Sequence, residues 1–511
     1  MTNQSTIKDS IRKLHGGVIF NKAITPPITH YPTPPVLNIS LIQHQGLAGQ
    51  VIVKIGDVVL KGQALTQSMN LNEVPVHASA SGTVIAISHS RITIKTNYDK
   101  PLEKNTYSPQ LLTADQLSQL LHQHGLAGLG GAGYPTAQKL AQLKNHGSVL
   151  LINAAECDPL IHCDNALMCD KAAHIIEGIK IIAESCSIER VIIGIEDNKP
   201  AAIKCISTAS SQAGFNAEII TVPSVYPSGA EKILLKLCGV NNKPSTEPLA
   251  KQGFLCLNIA TCYAAYQALV QGIPLISRIT TIVDAEGTIR NFEIPIGTPI
   301  DHIYKTVHNT HKLPDEKLIE IVIGGKMMGR QVSLFDATIK STNCIVFTPR
   351  DKKTLQPTAC IRCGACADIC PAQLLPQQLY TFAVNFNATV LEQYQLSQCV
   401  ECACCDTVCP SHLPLTQYFV SAKQRVTEND LALQQAKIAR YRFEKREKRL
   451  ASGKANARNT SANRQTRSPQ NNESDTTRSA DAKKALIEAA LKRKKTRRPS
   501  KNPNGNQSSQ S

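Results

Sequence analysis

Eight cysteines set in two runs of identical spacing constrain this chain more than anything else in it. The runs are Cys360-Ile-Arg-Cys363-Gly-Ala-Cys366-Ala-Asp-Ile-Cys370-Pro371 and Cys399-Val-Glu-Cys402-Ala-Cys404-Cys405-Asp-Thr-Val-Cys409-Pro410. Both follow the bacterial C-x2-C-x2-C-x3-C-P spacing for two [4Fe-4S] clusters. Three thiolates at two-residue intervals wrap one cluster, and the fourth, after a longer step stopped by proline, reaches the other. This predicts Cys360, Cys363, Cys366 and Cys409 on a first cluster, and Cys399, Cys402, Cys405 and Cys370 on a second. Cys404 is left over. A zinc site would take four ligands as two spaced pairs and leave the third cysteine and the C-x3-C-P endings unexplained.

The rest of the chain must house this module. At 511 residues, with 42% hydrophobic composition, several buried cores are expected. No apolar signal-peptide core follows the polar stretch Met1 to Lys13, and 18 cysteines then imply a reducing compartment. No apolar run approaches the length needed to span a bilayer, so membrane contact is expected to be peripheral. The net charge of +17 is concentrated: residues 423 to 511 hold 23 Lys/Arg against 8 Asp/Glu, leaving the body at +2. With no Trp and 4% aromatics, the stacking side chains of single-strand binders are missing, and specific nucleic-acid binding is not expected.

Patterning predicts a multidomain α/β chain. Val51 to Leu60 reads as strand, turn at Gly56-Asp57, and strand, followed by Gly82 to Ile87. It is similar to the barrel-sandwich hybrid fold of lipoyl and biotinyl domains, without a carrier lysine in a matching hairpin. From Leu111 to Gln271 strands (Leu150–Asn153, Val191–Ile195) alternate with helices (His174–Glu184, Pro200–Gln212), as in a mostly parallel sheet. Short β-rich pieces at Ile279–Val283 and Ile319–Ile323, with turns at Gly287 and Gly297, suggest a small β-grasp-like α+β domain. Between the cysteine runs, Leu374, Leu375, Leu379 and Phe382 have near-helical spacing. Leu431 to Leu450 reads as a charged helix, and the polar sequence from Ala451 as disordered. The expected boundaries are 1–105, 106–272, 273–350, 351–420 and 421–511.

A second motif is Gly125-Leu-Ala-Gly128-Leu-Gly130-Gly131-Ala132-Gly133-Tyr134-Pro135-Thr136-Ala-Gln-Lys139. Clustered glycines let backbone amides approach an anion, and a following helix start adds a favourable dipole. The spacing fits neither the P-loop nor the dinucleotide fingerprint, so a plain turn and an anion cradle both stay open on this chemistry.

The loop resembles the flavin- and NADH-binding loop in the NADH-oxidising subunit of respiratory complex I. Asn153-Ala-Ala-Glu156-Cys-Asp158-Pro159, Tyr226-Pro-Ser-Gly229-Ala-Glu231-Lys232 and Asn258-Ile-Ala-Thr261 resemble further segments of that family, in the same order. With the N-terminal and cysteine modules, the order of parts from about 16 to 420 resembles the C-subunit family of Rnf, or Rsx, ion-translocating electron transport complexes. The resemblance implies a peripheral subunit on the cytoplasmic face of the bacterial inner membrane. In such a subunit NADH reduces FMN, and two [4Fe-4S] clusters pass electrons to membrane subunits or ferredoxin-like carriers. It places Gly128, Gly130, Gly131 and Lys139 around the flavin, with Asn153, Glu156 and Asn258 nearby and Tyr134 and Glu231 at the nucleotide. Leu129, Ala155 and Ala230 stand where the complex I family has an arginine, an acid and a glutamate. A scaffold that wires electrons through its clusters without a flavin is therefore the alternative.

For each residue an ordinary reading stands beside this one: Tyr134 as packing, Glu231 as a helix-start carboxylate, Asn153 as a turn former, Cys157 and Cys163 as small buried side chains. The basic tail, densest at Lys492 to Arg498, has three readings: an anchor on anionic lipid, a contact for acidic partners, or a solvated segment.

Overall fold

The computed structural model describes residues 16–19, 25–97, 112–143, 149–240, 248–315, 318–350 and 356–465. The tail run Lys492 to Arg498 lies outside them.

In the N-terminal module the strands Val36–Ser40, Arg91–Thr96, Gly82–Ile87 and Val58–Val59 form one sheet, and Gln50–Val51 pairs with Thr66–Gln67 in another. Alternation along the strands buries Leu37, Ile39, Val84, Ile92 and Ile94 between the sheets. Gly56, at φ +95°, makes the expected turn. Two segments ahead of this module join other parts of the molecule. Ile28–His30 pairs in parallel with Asn291–Glu293, and Val18–Ile19 pairs antiparallel with Val225–Tyr226. Three- and two-residue strands carry too little periodicity to announce such partners.

The α/β module is a four-stranded parallel sheet with the spatial order Glu218–Val222, Arg190–Glu196, Val149–Ala154, Phe254–Asn258. Its strands are continuous apolar runs because helices cover both faces. On one face Ala172–Ser185, Pro200–Gln212 and Ile259–Val270 bury Ile176, Ile179, Ile206 and Ala265 against it, and on the other Glu231–Leu237 buries Leu234 and Leu235. Ala114–Gln123 opens on a capping box between Thr113 and Gln116.

The third module is a mixed sheet in which Ser277–Val283 pairs antiparallel with Ile289–Pro295 and parallel with Cys344–Pro349. Ile319–Ile323 and Arg330–Val332 extend it, and the helix Ile300–Val307 packs Ile300 and Ile303 into its core.

The cysteine module is helical, with Ala365–Asp368, Pro376–Val384, Ala388–Gln393 and Cys404–Thr407. Proline at the first helical position delays the expected helix, so Leu374 and Leu375 precede it while Leu379 is fully buried within it. The last helix, Leu415–Gln465, is much longer than the charged segment read from sequence, and residues 451 to 465 are helical rather than disordered. Proline is absent from its span, and Gln, Lys, Arg, Glu and Ala dominate it; these are good helix formers whatever their solvation. Among the described residues no helix is long and apolar enough to cross a membrane.

Candidate functional site

Two sites carry chemistry, and the first is built by the cysteine runs. After the first cysteine of each run the chain makes the same excursions into left-handed conformation: Arg362 and Glu401 both at φ +57°, then Gly364 (+84°) and Ala403 (+59°). Gln373 and His412, three residues after the fourth cysteine of each run, repeat the agreement at +54° and +50°. Such turns direct successive side chains and amides toward one centre. The amides of Leu374 and Glu401 approach Cys370 Sγ and Cys399 Sγ at 3.4 Å each.

Each run lines a small cavity. The first is lined by Cys360, Cys363, Cys366 and Cys409, and the second by Cys370, Cys399, Cys402 and Cys405, so the fourth cysteine of each run stands in the other's cavity. Four thiols around a compact apolar space are the donor set an iron-sulfur cluster requires. Cys404, fully buried, also lines the second cavity.

The two cavities differ in surroundings. Cys360 and Cys363 are exposed, whereas Cys370, Cys402 and Cys405 are buried. Burial pushes the Cys399 thiol up to about 11; a coordinating metal reverses this by holding the thiolate. The second cavity also abuts the α/β module. Val400 packs against its hydrophobic core, Cys402 and Cys404 pack against Tyr226, and Lys232 Nζ donates to the Ser397 carbonyl at 3.1 Å.

The second site lies in the α/β module. From Val149–Ala154 the chain builds outward to one side, then returns to place Phe254–Asn258 on the other. Such a switch point, at the carboxyl ends of the strands, is where open α/β sheets bind ligands. Asn153 and Asn258 are register partners at that end. The glycine loop stands over it, since a Cβ on Gly130 would come 3.2 Å from Asn258 Cβ.

The base of the loop is locked. Leu129 N–H donates to Thr261 Oγ1 (3.0 Å), its carbonyl accepts from Arg278 Nη2 (2.9 Å), and Gly128 N–H donates to the Tyr134 carbonyl (2.7 Å). The tip from Gly130 to Ala132 is exposed, and Gly131, at φ +100°, has open space where a side chain would stand. A rigid base with a bare tip allows close backbone approach to a ligand.

The other expected residues divide. Lys139, on the helix Thr136–Ala141, pairs with Glu231 at 3.0 Å. Burial works to lower the lysine's pKa, but chiefly the Glu231 carboxylate carries it above its ordinary value. Half-buried Tyr134 accepts from Gln142 Nε2 at 2.7 Å. Asn153 makes a strand-end turn by accepting from the Ala155 N–H, and donates to the Gly229 carbonyl at 2.7 Å. Glu156 is buried and accepts from the amides of Asp164 (2.7 Å) and Asn165 (3.4 Å), capping the helix Cys163–Asp170 from beneath the crevice.

Asp164, Thr261 and Arg278 were not singled out from sequence as members of this site. Asp164 accepts from Asn258 Nδ2 at 2.7 Å and faces buried Arg278 at 3.7 Å. Their partners lie about a hundred residues away, so no local pattern marks them. Glu156, Cys163 and Asp164 crowd within 4.8 Å, yet the two carboxylates are engaged by helix amides, Asn258 and Arg278. Leu129, 2% exposed, belongs to the hydrophobic core.

Comparison with known proteins places families on these modules in the same order. The RnfC barrel sandwich hybrid domain matches residues 13–101, the Nuo51 FMN-binding domain 121–267, and the 4Fe-4S dicluster domain 359–413. The C-subunit of an ion-translocating oxidoreductase complex from Edwardsiella ictaluri is 40% identical over 84% of this chain and 55% of its own length. The C-subunit of the same complex from Haemophilus influenzae strain PittEE is 36% identical over 88% of this chain and 71% of its own. The chain thus spans between about half and seven tenths of these relatives. A solved NAD+-reducing [NiFe]-hydrogenase chain aligns over 55% of this chain and 53% of its own, at 16% identity and a TM-score of 0.40.

Proposed function

The chain belongs to the C-subunit family of ion-translocating oxidoreductase complexes, and on that premise we propose that it takes electrons from NADH at the switch-point crevice and delivers them through two [4Fe-4S] clusters to membrane subunits. The observation that supports this reading is that the cavity of Cys370, Cys399, Cys402 and Cys405 packs against the module that holds the crevice. Bound FMN would supply two-electron acceptance with single-electron release, matching donors of electron pairs to clusters that take one at a time.

The residues present fit that group. Gly130 and Gly131 would offer backbone donors at the bare tip of a loop whose base Gly128 helps to fix, with Asn153 and Asn258 at the strand ends below. Lys139 offers positive charge beside an anionic phosphate, held in place by Glu231. Glu156, Asp164 and Arg278 form the floor that orients Asn258 and the loop base. Tyr134 and Glu231 would meet the nicotinamide nucleotide. Electrons would pass first to the buried cluster and then to the cluster of Cys360, Cys363, Cys366 and Cys409, whose exposed cysteines face a docking subunit or a ferredoxin-like carrier. The modules would divide at 1–105, 106–272, 273–350 (a β-grasp-like unit), 351–420 and 421–511, with the chain held peripherally on the cytoplasmic face of the inner membrane.

A second reading, a wiring scaffold without flavin, is favoured by the apolar side chains at Leu129, Ala155 and Ala230, which bring no polar contact to the crevice. Anaerobic purification followed by iron and flavin analysis separates the two. Close to eight iron atoms per chain, released FMN, and bleaching by NADH are expected under the first reading; eight irons with neither flavin nor bleaching would establish the scaffold.

A further inference from the structure

A buried ion pair stands at the carboxyl end of the parallel sheet, the end on which the crevice opens. Glu196 closes the strand Arg190–Glu196, one residue past the register pair of Ile195 with Ala154. Lys199 is the residue from which the helix Pro200–Gln212 starts. Both side chains are buried, and the Lys199 ammonium pairs with the Glu196 carboxylate. Stability alone gives such a pair no advantage. Desolvating two charges is costly, and apolar residues of similar volume often serve a buried position as well or better.

What apolar residues cannot do is hold a backbone carbonyl. Lys199 Nζ donates to the Glu156 carbonyl at 3.3 Å and to Asn198 Oδ1 at 3.4 Å. The Glu156 carboxylate accepts from the Asp164 N–H at 2.7 Å, and Asp164 Oδ2 accepts from Asn258 Nδ2 at 2.7 Å. A line of hydrogen bonds thus runs from the ion pair through Glu156 and Asp164 to Asn258, the strand-end residue beneath Gly130. The ends of the Glu156 segment are tied elsewhere. Ala155 N–H donates to Asn153 Oδ1 at 3.1 Å, and Asp158 accepts from the amides of Lys326 at 3.2 Å and Met327 at 3.0 Å.

We propose that Lys199, paired with Glu196, is a positioning residue for the flavin site, fixing the Glu156 backbone and, through Asp164, the place of Asn258. The proposal rests on the reading of the crevice as the place where FMN binds. Glu196 supplies the counter-charge that lets an ammonium sit in the interior, and the donation to Glu156 does the positioning. Without Lys199 the middle of the segment loosens while its ends stay tied.

The test uses the full holo-chain under anaerobic conditions. FMN release on dilution is followed by recovery of flavin fluorescence, amide hydrogen exchange is mapped by mass spectrometry, and unfolding midpoints are taken in urea. The double variant Lys199→Met with Glu196→Leu leaves no charge buried alone, so its midpoint should stay near wild type. It should nevertheless release FMN about tenfold faster, the loss of one hydrogen bond from a charged donor. Exchange at Asp164 and Asn165 should quicken while the strand Val149–Ala154 keeps its protection. Glu196→Gln should do the reverse: a lower midpoint, because the ammonium loses its counter-ion, with FMN release and exchange close to wild type because the bond to Glu156 remains. FMN release that follows the midpoint across the two variants would overturn the proposal. So would wild-type exchange at Asp164 and Asn165 in the double variant, or a double variant that does not fold, which would make the pair structural. If the wild-type chain holds no FMN, the reading of the crevice fails, and the exchange measurement alone decides whether Lys199 positions Asp164.

Discussion

The two cysteine cavities share a backbone and differ in everything around it. Residue for residue they make the same left-handed turns, yet the first is lined by the exposed Cys360 and Cys363 while the second is lined by the buried Cys370, Cys402 and Cys405 and packs against the α/β module. Local sequence therefore sets what each cavity can ligate, and packing sets whom it can exchange electrons with.

The ligand exchange between cavities is the sharpest place to break this comparison. Cys409→Ala should remove the cluster of the first cavity, and Cys370→Ala that of the second. Each variant should lose about half its iron and one of two reduced-cluster signals in electron paramagnetic resonance. If Cys409→Ala loses instead the cluster at Cys399, the crossed arrangement is wrong.

Packing around the cavities gives the next largest difference. Phe419 is 1% exposed against the second cavity and Ile361 is 67% exposed beside the first. Phe419→Ala should cost about 3–5 kcal/mol, and Ile361→Ala no more than about 0.5 kcal/mol, read from denaturant unfolding. Equal losses would show that the two cavities are packed alike.

Thiol reactivity in the cluster-free protein distinguishes them by pH. Burial holds the Cys399 thiol at about 11, and only the thiolate is alkylated. Labelling of Cys399 by iodoacetamide should therefore be slow at neutral pH and rise as pH climbs toward that value. Fast labelling of Cys399 at neutral pH would show the second cavity to be open. At the seam, Lys232→Ala removes the bond to Ser397 and should cost about 1 kcal/mol; stability unchanged in urea would mean that the seam does not rest on it.

How much of this is legible in the sequence follows the range of each interaction. The cysteine spacing is short-range, and the two sets of four it predicts are the sets that line the two cavities. The strands Val191–Ile195 and Leu150–Asn153 and the helix Pro200–Gln212 announce themselves by periodicity. The glycine loop reads as a turn or a cradle until the fold brings Gly130 over Asn258. The floor of the crevice is invisible from sequence, because Asp164, Asn258 and Arg278 are joined only by the fold. Reach of the last helix through residue 465 was missed because its polar composition reads as solvated chain, although the same residues are strong helix formers.

The most direct test of electron entry through the crevice and exit through the first cavity is rapid-freeze electron paramagnetic resonance on the Cys370→Ser chain, mixed anaerobically with NADH. With the cluster of the second cavity lost and flavin retained, flavin reduction should proceed as in the wild-type chain while reduction of the Cys360 cluster slows steeply. Reduction of that cluster at the wild-type rate would contradict the route.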